Sequence, residues 1–316
     1  MTERPEIASL PRPDTAEGKP RHVGVEIELG GLPETRVAEL ARDAFGGEIE
    51  RGEEKGLVLT GSRLGDMEIY LDSALLGHAD TRFQEGLHEM ARTVVPVEIV
   101  TGPILPARIA ELDTFLDTLH AAGASGTSGG ITAGYGVHFN PEVVSTRLDD
   151  VLPVLKAFAF AEDALRQEMG IDLSRRVLPF VDPYPRRLLD GLARAPIPDM
   201  AALIDLYLDR APSRNHGLDM LCLFAHVDRD RVGAKMDLAS VSARPTFHYR
   251  LPDCRIGDPN WSLALEWNRW VAIERLSEDH GFLAEIERAW QAHRDALTTV
   301  RGDWTKFTSE RMGRFA

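Results

Sequence analysis

Apolar and polar residues alternate strictly along five short stretches of this chain, and the polar partners there are residues able to bind metal ions or phosphate. The clearest stretch is Val23-Gly24-Val25-Glu26-Ile27-Glu28-Leu29. A period of two is the mark of a strand with one buried face, so Val23, Val25, Ile27 and Leu29 are expected in a core and Glu26 and Glu28 together on the opposite face. Side chains two apart in a strand lie roughly 6.5–7 Å from one another, which lets each carboxylate hold one of two neighbouring divalent ions. A plain antiparallel strand with one face in water produces the same pattern without any function.

The same period predicts strands over Asp66–Asp72, Val94–Thr101, Ala133–Asn140 and Phe247–Leu251, with weaker ones near 48–51 and 56–60. Helical spacing of apolar residues predicts helices over Pro33–Phe45, about 82–92, Pro106–Ala122, Asp149–Gly170, Trp261–Leu276 and Phe282–Val300, several of them stopped by glycine. Trp261, Trp267, Trp270 and Trp290 are the expected packing anchors of the C-terminal helices. Parallel sheets are buried on both faces and read as continuous apolar runs, whereas these strands alternate. The expected fold class is therefore α+β, a largely antiparallel, curved sheet with helices packed on its outer face and a polar concavity on the other. Residues 1–20, with Pro5, Pro11, Pro13 and Pro20, read as a flexible tail; residues 21–316 read as one domain whose part from about 261 is helical.

Set on strands, further residues join Glu26 and Glu28. Glu98 opposes Val97 and Ile99 in its strand, and a lone carboxylate at a strand centre asks for a partner or a ligand, unless it is an edge charge that blocks aggregation. Gly136, His138 and Asn140 share one side of their strand, where glycine admits close approach of a ligand or backbone; His138 alone also reads as a structural histidine. His248 and Arg250 share a face opposite Phe247, Tyr249 and Leu251, and an exposed basic face is the simpler reading of that pair. Glu68, Asp72 and Tyr135 are adjoining candidates for substrate contact. Oxygen-rich ligation suits Mg²⁺ or Mn²⁺. An arginine beside such ions is the usual partner of a phosphoryl group in transfer.

The chain has 316 residues and a formal net charge of −14, which argues against nucleic-acid or anionic-membrane partners and agrees with an acidic pocket that gathers cations. Its two cysteines, Cys222 and Cys254, stand apart from any CxxC or Cys/His cluster and are expected as buried thiols. No apolar run reaches the roughly 20 residues of a membrane span, and residues 1–20 have no apolar leader segment, so the cytoplasm is the expected location. Gly123–Gly130 is glycine-rich but lacks the lysine of a phosphate-binding loop and precedes a strand.

Four motifs in order resemble the amidoligase family, a branch of the superfamily of glutamine synthetase and glutamate–cysteine ligase. Gly24-Val-Glu-Ile-Glu28 resembles its opening GxExE strand, Val97-Glu-Ile-Val-Thr-Gly-Pro103 its E-[IL]-V-[TS]-x-P strand, and Gly136-Val-His-Phe-Asn140 its G-[IVM]-H-x-[NH] strand. Ala243-Arg-Pro-Thr-Phe-His-Tyr-Arg-Leu-Pro-Asp253 resembles its closing R-x-E-x-R-x-P-D strand, with His248 where the family usually has glutamate. The resemblance implies a glutamine-synthetase-like fold and an ATP-dependent carboxylate–amine ligase that works through an acyl phosphate at a two-metal site, with ATP and Mg²⁺ or Mn²⁺ as cofactors and small-molecule or peptide carboxylates and amines as substrates.

By the same resemblance Glu26 and Glu28 serve the two metal sites, Glu98 joins Glu28, and His138 joins the other near the ATP phosphates, with His248 beside it. Arg250 steadies the γ-phosphate, and Asn140 and Arg244 hold phosphate or substrate. Asp72 matches a D-G-S strand loosely. The Gly123–Gly130 loop, or the Arg175–Arg187 stretch, is a candidate lid or plain surface loop. A metal-dependent hydrolase and a non-catalytic binding protein are the alternatives that the same acidic face allows.

Overall fold

The computed structural model describes residues 4–52, 56–71, 96–127, 134–171, 181–194, 196–239, 241–296 and 300–313. Asp72, the helix expected near 82–92, the end of the Gly123–Gly130 loop, and Arg175 and Arg176 lie outside the described residues. Six strands, β1 (Val23–Leu29), β2 (Glu48–Arg51), β3 (Leu57–Thr60), β4 (Met67–Leu71), β5 (Val97–Thr101) and β6 (Val137–Pro141), form one sheet in the order β2-β3-β4-β5-β1-β6. Every neighbouring pair is antiparallel. The architecture is thus α+β, an open antiparallel sheet combined with helices.

Alternation settles which face each strand buries. Val23, Val25, Ile27 and Leu29 are fully buried, as are Ile69, Ile99, Val137 and Phe139 from the adjoining strands. That face belongs to one hydrophobic core with α1 (Glu34–Phe45), α2 (Ile109–Ala121), α3 (Leu148–Met169) and α8 (Leu263–Glu278). Between α3 and α8 come α4 (Arg186–Arg194), α5 (Met200–Arg210), α6 (Leu221–Val227) and α7 (Arg229–Gly233). The chain ends in α9 (His280–Asp295) and α10 (Arg301–Met312).

Helix limits follow local chemistry. Ser262 caps α8, its Oγ accepting from Leu265 N at 3.0 Å, and Gly170 ends α3 in the left-handed conformation at φ 57°. Trp267 packs on Phe139, and Trp270 on Phe247 and Tyr249. The helix expected over Phe282–Val300 ends sooner, at Asp295, where the backbone turns extended at Ala296, and a separate helix, α10, begins at Arg301 beyond the expected span.

The last expected strand also differs. Residues 246–253 run beside β6 as isolated bridges, Glu142 with Thr246, Phe139 with Tyr249 and Gly136 with Asp253. Two prolines interrupt the ladder: Pro141 has no N–H to return the bond from Phe247, and the pairing slips by one residue before Pro252, whose carbonyl accepts from Val137. The segment nonetheless covers the β6 edge and delivers His248 and Arg250 to the site.

Residues 4–20 carry no helix or strand, in keeping with their prolines, and are pinned along α8. Trp267 Nε1 donates to Ala8 O at 2.9 Å, Asn268 Oδ1 accepts from Ala8 N, and Leu10 joins the core. Arg21, 1% exposed, forms a bidentate pair with Glu274 at 2.8 Å for both bonds, which fixes the entry to β1.

Candidate metal and phosphate site

The face of the sheet away from the helices gathers the polar half of each alternating strand. Register places Glu26 between His138 on β6 and Val100 on β5, Glu28 opposite Glu98, and Glu98 opposite Tyr70 on β4. Glu68 lies in the same row as Glu26, across Val100, and is exposed. Strand pairing alone brings together residues far apart in sequence, which alternation could place on a face but not side by side.

Glu26 is the most heavily bonded group. His138 Nδ1 donates to its Oε2 at 2.7 Å, Asn140 Nδ2 to its Oε1 at 2.8 Å, and Arg244 Nη2 to Oε1 at 3.2 Å. Burial on its own pushes this carboxyl up, yet the surrounding His248, His138 and Arg244 together outweigh it and hold Glu26 well below the usual carboxylate range. Because the Asn140 amide donates to Glu26, its Oδ1 faces the other way and accepts from Arg244 Nη2 and from His248 Nδ1, each at 2.6 Å. His248 is 3% exposed. Burial, and then the neighbouring His138, Arg250 and Arg244, hold its imidazole well below its ordinary value despite Glu26.

The donor atoms of Glu26, His138 and His248 lie within 4.8 Å of one another, compact enough for a single divalent ion. Beside them, His138 Nε2 is 4.0 Å from Glu28 Oε1, and Glu28 Oε2 accepts from Gly136 N at 2.7 Å. Glu28 and Glu98 form a like-charged cross-strand pair, an arrangement that destabilises a sheet unless a cation lies between the charges. Glu98 is 9% exposed, and burial, followed by the charge of Glu98 and its hydrogen bond, drives the Tyr70 phenol upward, keeping it protonated. The chemistry of both donor sets fits divalent cations: two imidazoles with one carboxylate in the first, two carboxylates in the second.

Next to the first set opens a cavity of about 480 Å³ lined by His22, Gly24, Glu26, Val100, Thr101, Pro103, Asn140, Glu142, Arg244, Pro245 and Thr246. Two of the lining residues carry buried polar atoms, Arg244 Nε and Thr246 Oγ1, that have no hydrogen-bond partner among the described residues. Arg250, half-buried, follows His248 on the same segment and donates through Nη1 to Arg214 O at 2.8 Å. Tyr135 is 5% exposed, belongs to the core, and packs its ring against Gly30, where an added Cβ would come within 2.6 Å of the hydroxyl; burial, and then the charge of Glu28, push its phenol up. Arg214, unremarked in the sequence, enters the electrostatic surroundings of Glu26 from an irregular loop. No periodic pattern marks such a position.

A strand pair of carboxylates, a histidine on the next strand and an arginine-bearing segment beside it make a candidate site for cations and oxyanions on an antiparallel sheet. The family model described as "Putative amidoligase enzyme" matches residues 19–272, which contain every one of these groups, and the chain belongs to that family. Neither a curated protein nor a solved structure matches it. Among the described residues no helix is long and apolar enough to cross a membrane.

Proposed function

We propose that the chain is an ATP-dependent carboxylate–amine ligase of glutamine-synthetase-like fold, forming an amide through an acyl phosphate at a two-metal site. The observation that carries this reading is the pairing, on one sheet face, of two carboxylate-bearing donor sets with Arg244 and Arg250. Glu26, His138 and His248 would hold one divalent ion, and Glu28 with Glu98 the other. Bound there, such ions supply charge neutralisation for a transferring phosphoryl group.

The protein's own groups account for the rest. A substrate carboxylate oxygen forms a bond to the γ-phosphorus as the bond to the ADP oxygen breaks; the amine then attacks the acyl carbon, phosphate leaves, and the amine gives up a proton. Arg250, anchored to Arg214 O at 2.8 Å, would meet the equatorial oxygens of the phosphoryl group. Arg244, in the cavity wall, would hold phosphate or substrate oxygens. Asn140 keeps Glu26, His248 and Arg244 in register through its two amide atoms. The apolar wall of Val100, Pro103 and Pro245 would limit water at the acyl phosphate.

The test is ADP release by the purified protein with pooled amino acids and small amines, in Mg²⁺ or Mn²⁺. Release that needs metal, an acid and an amine supports the ligase. Metal-dependent hydrolysis with no call for ATP would move the assignment to a hydrolase.

A further inference from the structure

The cavity beside the first donor set runs along β1 away from the metal ligands. Glu26, Gly24 and His22 share one face by alternation, and Asn140 and Glu142 pair with the last two across the β6 edge, so the cavity that all five line reaches Glu142. Four residues of extended chain lead from Glu26 to His22, which sets the two ends roughly 13 Å apart. Between them Val100 and Pro103 give apolar surface on the β5 side, and Pro245 on the side beyond β6.

Two features of this cavity have no part in the metal chemistry. Glu142 is fixed by its backbone, its N donating to His22 O at 2.9 Å and its carbonyl accepting from buried Arg21 Nε at 2.6 Å. Its carboxylate meets the protein through Oε2, which accepts from His22 N at 3.1 Å and lies 3.9 Å from His22 Nδ1. Among the described residues Oε1 has no partner, and the side chain is 34% exposed. A carboxylate held in a cavity wall with an oxygen to spare accepts readily from a cation. Gly24 is the second feature. Its φ is not left-handed, and a Cβ built there would meet nothing nearer than 3.5 Å, so neither backbone nor packing requires glycine. Glycine weakens a strand, and what it leaves here is room on the cavity floor.

Resting on the ligase reading, we propose that this cavity takes the attacking amine as an aliphatic diamine, with its far ammonium on Glu142 and its methylenes over Gly24. A chain cationic at the far end and uncharged at the near one, where nitrogen must be neutral to attack, matches a lining that is anionic at Glu142 and apolar along the way. Arg244 keeps its Nη2 on Glu26 Oε1 and Asn140 Oδ1, at the near end. The near nitrogen forms the bond to the acyl carbon as the bond to the phosphate oxygen breaks, and its proton goes to the departing phosphate. The far ammonium keeps its protons throughout, so Glu142 sets specificity and stands outside the chemical step.

Calorimetric titration of the protein in Mn²⁺ and ADP tests this by comparing cadaverine with pentylamine, which lacks the second nitrogen, and with δ-aminovalerate, which has a carboxylate in its place. Wild type should bind cadaverine about tenfold more tightly than pentylamine. Glu142→Gln, which keeps an oxygen for His22 N, should bind the two alike. Gly24→Val, a substitution suited to a strand, should weaken both amines by filling the floor. Circular dichroism checks that each variant folds, and the wild-type comparison decides the matter if one does not. Equal affinity for cadaverine and pentylamine, a preference for cadaverine that survives Glu142→Gln, or tighter binding of δ-aminovalerate overturns this proposal alone when ADP is bound. A wild-type protein that binds no ADP in Mn²⁺ overturns it together with the reading beneath it.

Discussion

His248 is the residue on which the metal chemistry turns. Imidazole brings no negative charge, and nitrogen donors favour ions later in the first transition series over Mg²⁺. Two imidazoles and one carboxylate at a single centre should therefore prefer Mn²⁺ to Mg²⁺. His248→Glu should narrow that preference by about tenfold or more in direct metal titration; an unchanged ratio would remove His248 from the ligand set. Glu98 offers a second test through stability. Facing Glu28 across β1 and β5, it sets two like charges together, so Glu98→Gln should raise the unfolding free energy of chelator-treated protein by about 0.2–1 kcal/mol. Added Mn²⁺ should then stabilise wild type more than the variant, and thermal melts in both conditions check the reversal.

Among the helices, α3 carries a pH-sensitive group. Glu162, 2% exposed, accepts from Tyr184 N at 2.8 Å and lies near Arg166, but burial dominates and pushes its carboxyl up to about 7. A raised carboxyl contributes stability that is full below its ordinary value near 4.5 and is lost as pH rises through about 7. At about 1.4 kcal/mol per unit, the loss over that window approaches about 3 kcal/mol. Urea midpoints should fall from pH 5 to 8 in wild type and stay flatter in Glu162→Gln; parallel slopes would contradict the assignment. On α8, which packs on α3, Glu274 joins Arg21 at the entry of β1. Removing one partner leaves a buried charge, so Arg21→Ala should cost about 3–5 kcal/mol in denaturant unfolding, whereas replacing both with apolar residues should cost less.

At the scale of the molecule, alternation made the two faces of the sheet legible, because a period of two assigns every strand residue to a side without reference to the rest of the fold. It named Glu26, Glu28, Glu98, His138, Asn140, His248 and Arg250, and the structure sets them along one face. What alternation could not give was adjacency. The order β4-β5-β1-β6 depends on pairing between strands separated by long connections, and that order makes Glu28 the neighbour of Glu98. The continuous strand expected at Phe247–Leu251 failed at two prolines. Arg214, whose charge meets that of Glu26, stayed hidden since an irregular loop has no period to read. The sheet face as a metal-dependent nucleotide site is the central claim, and calorimetric titration of ADP with and without Mn²⁺, in wild type and Glu28→Ala, tests it most directly. The account predicts binding that requires Mn²⁺ and falls at least about tenfold in the variant; absent ADP binding, or binding indifferent to both metal and Glu28, would contradict it.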